Sequence, residues 1–114
     1  MADCIFCKII SGDIPSTKVY EDEYVLAFRD INPMAPTHVV IIPKRHVRNM
    51  NEIALLSEAE RLAVLSACEK VAALEGVAES GYRVVSNCGP DADQSVQHLH
   101  FHVLGGAKLS VNLA

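Results

Sequence analysis

Apolar positions along the chain follow two periodicities. In LSEAERLAVLSACEKVAALEG, Val64, Ala67, Cys68 and Val71 recur at three- and four-residue steps, which puts them on one side of a helix. Ser57 and Glu60 fit an S-x-x-E capping box at its start, and Gly76 suits its exit. Cys68 reads there as a small core residue. A shorter helix is predicted in DCIFCKIISGDIP, with Asp3 as its cap, Gly12 as its terminator and Pro15 blocking continuation. The remaining apolar runs are strand-like. Val19–Tyr20 and Tyr24–Phe28 flank an acidic turn and predict a hairpin, and HVVIIP, ended by Pro43, predicts a buried strand. YRVVSN (Tyr82–Asn87) and HLHFHVL predict two more, while INPMAPTH and CGPDADQSV read as loops. This order predicts one α+β domain over residues 1–114, with an antiparallel sheet of about five strands and the long helix over one face.

Composition narrows the functional classes. Of 114 residues 50% are hydrophobic and 21% charged, a globular balance, and the formal net charge of −4 argues against binding a nucleic-acid backbone. A single nucleotide held by local groups stays open. No basic segment followed by a long apolar one opens the chain, and VVII is far too short to span a bilayer. The expectation is a cytoplasmic protein, free of membrane, with reduced cysteines. The C-x-x-C pair Cys4 and Cys7 then suggests a metal or redox site before a disulfide.

Three of the five histidines stand in HLHFHV. Alternation on a strand sends His98, His100 and His102 to one face and Leu99, Phe101 and Val103 to the other, where the long helix can cover them. At a rise of roughly 3.3 Å per residue the three imidazoles span about 13 Å, so all three cannot meet at one atom. One reading is a satisfied or solvated histidine face. A second is a catalytic metal held by two of them plus a third ligand. A third is nucleophilic: a neutral imidazole attacks phosphorus while neighbours set its tautomer and handle protons. His100 is the best placed for this, flanked on its own face by His98 and His102, with Gln94 and Ser95 just upstream to bond a phosphate oxygen or a leaving-group atom.

HLHFHVL resembles the His-x-His-x-His motif of the histidine-triad (HIT) nucleotide hydrolases and transferases. CIFCKIISGDIP, VYEDEYVLAFRDINPMAPTHVVIIPKRH, GYRVVSN and QSVQHLHFHVLGG resemble that family in order and spacing, and APTH with HVLGG points to its Hint branch of nucleoside phosphoramidases. The resemblance implies a HIT-like fold with two helices and a homodimer. It implies cleavage of P–N bonds, and of acyl phosphates, in purine nucleoside 5′-phosphoramidates (AMP or GMP derivatives) without a catalytic metal. In this reading His100 is the nucleophile, His38 and His102 form a proton relay, His98 supports the nucleophile, and Ser95 meets the departing amine. Asn87 lies near the phosphate and Asp30 takes the ribose hydroxyls. Phe6, Ile9, Phe28 and Ile31 form the purine slot. The alternatives are a dinucleoside polyphosphate hydrolase and a nucleotide-binding regulatory or scaffold module.

Members of the family with CIFC also imply a structural zinc, here on Cys4, Cys7, His46 and His98. The sequence departs from the Hint pattern at Ala92–Asp93, where a glycine pair is usual, at Gln97, where an aromatic residue is common, and in the tail AKLSVNLA, which has no aromatic residue.

Overall fold

A computed structural model describes residues 3–112. Among them the chain forms helix α1 (Ile5–Ser11), strands β1 (Lys18–Glu21), β2 (Val25–Arg29) and β3 (Thr37–Pro43), helix α2 (Glu58–Leu74), and strands β4 (Tyr82–Val85) and β5 (Phe101–Gly105). Short 3-10 turns cover Met50–Leu55 and Pro90–Ala92. The sheet runs β1-β2-β3-β5-β4 with every neighbouring pair antiparallel. No helix among the described residues is long and apolar enough to cross a membrane.

Each face of the sheet is covered by one helix. Val25, Ala27, Val39, Ile41 and Val103 pack against Val64, Ala67, Cys68 and Val71 of α2, as the helical stripe predicts. Leu26, Phe28, Val40 and Ile42 point the other way and pack against Phe6 and Ile9 of α1. With both faces covered, β3 is buried along its whole length, and that explains its unbroken apolar run. The capping box forms in full: Ser57 Oγ accepts from the Glu60 amide at 3.1 Å, and Glu60 Oε1 accepts from the Ser57 amide at 2.7 Å. Arg45 holds the same carboxylate.

Four expectations change in detail. Cys4, not Asp3, caps α1, because its Sγ accepts the Cys7 amide at 3.4 Å while Gly12 closes the helix at φ 87°. The second strand of the hairpin starts at Val25, since Asp22 Oδ1 holds the amides of Tyr24 and Val25 in the turn. β4 ends at Val85, after which the Ser86 hydroxyl donates to the carbonyl of His100 at 2.8 Å. The last strand begins only at Phe101: the Leu99 amide donates to Val47, and the His98 carbonyl is taken by the His100 ring. Leu99 consequently packs with Val47 and Leu56 in a separate small core, while Val103 faces α2 and Phe101 borders both cores.

Candidate active site and metal centre

Register places the histidines. Val40 pairs with His102 and His38 with Leu104, so His38 and His102 project from adjacent strands on the α1 side. His100 lies one step before β5, its ring nearly perpendicular to that of Phe6 at 5.1 Å between centroids.

Hydrogen bonds assign the tautomers in turn. The Met34 amide donates to His38 Nδ1 at 3.0 Å, which leaves the proton of His38 on Nε2. His38 Nε2 lies 2.8 Å from His102 Nδ1 and 3.5 Å from Asp30 Oδ2. It donates to the former, so His102 carries its own proton on Nε2. His100 Nδ1 donates to the His98 carbonyl at 2.7 Å. His100 Nε2 is therefore a lone pair. Burial lowers the pKa of His38 and His100, and pushes His102 down to about 4 with help from its two histidine neighbours. All three rings are neutral near pH 7.

That side of the sheet holds a cavity of about 620 Å³. Phe6, Ile9, Phe28 and Ile31 line it together with Asp30, Ser95, His100 and His102. Most of the residues expected to hold a nucleotide thus share one hollow, apolar at one end and with a carboxylate and imidazoles on its walls. His38 lies behind His102 and does not line it. Asp30 Oδ1 takes the Asn32 amide at 2.8 Å, closing a turn. Asn87 is half-buried and is not part of the wall. Gln94 spends its carboxamide on backbone and Asn49. Three groups had no signal in the sequence: the Met34 amide, the His98 carbonyl, and the Ser86 hydroxyl that holds the strand end at His100. Two of them are backbone atoms, visible only once the chain is folded.

His98 turns away from the cavity. It is fully buried, and its Nε2 donates to the Pro43 carbonyl at 2.8 Å, leaving Nδ1 as a lone pair. That atom lies 3.4 Å from Cys4 Sγ, 3.7 Å from Cys7 Sγ and 3.1 Å from His46 Nδ1, while Cys7 Sγ lies 3.4 Å from His46 Nδ1. A tetrahedral ion with bonds of about 2.0–2.3 Å needs sulfur–nitrogen separations of about 3.5 Å and a nitrogen–nitrogen separation of about 3.3 Å. The four donors have that shape and can hold a metal. The Pro43 carbonyl supplies the outer partner that orients a ligating imidazole. Burial and the adjacent Cys4 push the Cys7 thiol up to about 11, so a cation would bind with release of protons.

Set beside known proteins, residues 11–109 match the HIT domain family. The purine nucleoside phosphoramidase of Escherichia coli is 43% identical over 112 residues, spanning 98% of this chain and 94% of that one. The 14 kDa zinc-binding protein of Zea mays is 53% identical over 109 residues, spanning 93% and 84%. The solved structure of a HIT family hydrolase from Clostridium thermocellum superimposes with a TM-score of 0.91 at 46% identity, covering 100% of this chain and 99% of that one.

Proposed function

The chain belongs to the HIT domain family, and from that premise we propose that it is a hydrolase that cleaves P–N bonds of purine nucleoside 5′-phosphoramidates through a nucleotidyl-histidine intermediate. The observation that carries this reading is the bond from His100 Nδ1 to the His98 carbonyl, which leaves Nε2 unprotonated on the wall of the cavity. The name and similarity of the E. coli phosphoramidase support the substrate class.

The base lies among Phe6, Ile9, Phe28 and Ile31, and Asp30 Oδ2 receives the ribose hydroxyls. The His100 Nε2 lone pair forms a bond to phosphorus as the P–N bond opposite breaks. The departing amine takes the bonding pair and gains a proton from solvent, guided by the Ser95 hydroxyl. His102 Nε2–H donates to a phosphoryl oxygen, and its tautomer is held by His38. Attack makes the His100 ring cationic, and the His98 carbonyl then accepts a charge-assisted bond from Nδ1–H, stronger than the neutral one. Water next attacks phosphorus and gives up a proton to solvent as the P–Nε2 bond breaks, its electron pair returning to His100. Nucleoside monophosphate leaves and the neutral imidazole returns. Asn87, two residues past the end of β4, is the further residue assigned to the phosphate.

We assign zinc to Cys4, Cys7, His46 and His98 on the fit of the donor set, with the Zea mays zinc-binding relative in support. Bound there it supplies a structural crosslink between α1 and the His98 segment. The protein is also proposed to be a cytoplasmic homodimer: β4 is a sheet edge, and Tyr82 and Val84, on the same face as Val103, are 39% and 41% exposed.

The experiment is a comparison of kcat/KM for an adenosine phosphoramidate and a diadenosine polyphosphate, repeated with His100→Ala. The expected result is preference for the phosphoramidate and a loss of about a thousandfold or more in the variant. Preference for the polyphosphate replaces the substrate assignment. Nucleotide binding with neither compound cleaved replaces hydrolysis with a binding role.

A further inference from the structure

Gln94 precedes Ser95, and its side chain is fully engaged within the protein. Nε2 donates to the carbonyls of Arg48 at 2.7 Å and Val96 at 2.9 Å. Oε1 accepts the Gly89 amide at 2.9 Å and Asn49 Nδ2 at 3.4 Å. Two carbonyls face the amino end and two donors face the oxygen, so the orientation of the amide is unambiguous. Contact with a substrate phosphate would require breaking part of this set, at about 1 kcal/mol for each bond and more where a partner is left unpaired.

The four bonds tie together the start of the loop (Gly89), its end (Val96) and the segment just after His46. The turn they enclose is strained. Asp93, with φ 57° and ψ 45°, is the one non-glycine residue with positive φ among the described residues. Such strain, of order 1 kcal/mol, persists only where surrounding contacts over-determine the backbone. Ser95, next in the chain, is exposed on the cavity wall that carries His100 and His102. Its hydroxyl makes no hydrogen bond among the described residues.

We propose that Gln94 is the positioning residue for Ser95. It locks the strained turn at Asp93 and holds the Ser95 hydroxyl at the mouth of the nucleophile's cavity without touching the substrate itself. The inference rests on the assignment of Ser95 to the leaving group. It also accounts for an aspartate standing where the turn favours glycine: the clamp supplies the order.

The test is a double-mutant cycle of Gln94→Ala and Ser95→Ala. Its substrates are an adenosine phosphoramidate and an adenosine 5′-(4-nitrophenyl) phosphate, whose leaving group needs no proton. Each single change should lower kcat on the phosphoramidate by about 10- to 100-fold, and the double variant should be no slower than Ser95→Ala alone. For Gln94→Ala the loss should shrink to under about threefold with the aryl ester, and Asp93→Gly should restore part of it on the phosphoramidate. Full additivity, or an equal loss with both leaving groups, overturns the proposal. If Ser95→Ala is silent while His100→Ala is inactive, the leaving-group role of Ser95 fails and takes the positioning role with it, leaving the nucleophile assignment intact. Should Gln94→Ala lack a cooperative thermal transition, Gln94→Glu replaces it, since it keeps both acceptor bonds and loses both donors.

Discussion

Replacing Phe6 tests whether one wall serves the core and the site together. Phe6 is 9% exposed and meets Phe28, His98 and His100 edge-on at centroid distances of 5.6, 5.9 and 5.1 Å. A buried Phe→Ala change costs about 3–5 kcal/mol. One side of this ring borders an open cavity rather than packed core, so the lower end applies. Phe6→Ala should thus lose about 3 kcal/mol, seen as a drop of roughly 10 °C in Tm for a domain of this size. Phe6→Leu keeps apolar volume and loses only edge contacts, each worth about 0.5–1.5 kcal/mol, so it should lose about half as much. Calorimetric AMP binding should weaken about tenfold in the alanine variant, or about 1.4 kcal/mol. Denaturation midpoints and titrations check both. A Phe6→Ala protein within 1 kcal/mol of the wild type, with an unchanged Kd, would refute the shared wall.

Two further outcomes follow. His102 has its pKa lowered to about 4, so between that value and the ordinary 6.5 the unfolded chain binds a proton that the folded protein does not; stability is fully present above 6.5 and falls as pH drops toward 4, by up to about 3 kcal/mol from this residue. Urea midpoints at pH 7.5 and pH 5 measure this, and equal midpoints would contradict a buried neutral relay. A strong chelator should lower the Tm of protein purified with its metal, and added zinc should restore it, because a ligand specific to the folded state stabilises by mass action. Cys7→Ser should show neither response, and equal chelator sensitivity in wild type and variant would remove the assigned ligand set.

Much of the fold and most of the lining of the candidate site were legible before folding. The stripe at Val64, Ala67, Cys68 and Val71 and the Ser57–Glu60 box map directly onto α2, because both signals are local and periodic. Phe6, Ile9, Phe28, Ile31, Asp30, Ser95, His100 and His102 all reach one cavity. The errors arise where tertiary bonds compete with strand pairing: the His98 carbonyl is bound by a side chain and the Leu99 amide by Val47, so half of the histidine motif lies outside β5. Alternation still sends the rings to one side. It could not show that His98 and His100 serve different centres, because both precede β5 and are placed by tertiary bonds rather than by strand pairing. The capping thiol of Cys4 was hidden for a related reason: cysteine is an uncommon cap, and its sulfur here also belongs to the donor cluster.

The most direct test of the central claim is mass spectrometry of the intact protein, quenched in alkali during turnover of an adenosine phosphoramidate. The account predicts an adduct of one adenylyl group, mapped to His100 and absent from His100→Ala, that accumulates with the burst of amine and decays as AMP is released. Amine and AMP appearing together at the full rate, with no adduct on His100 and undiminished turnover in His100→Ala, would contradict it.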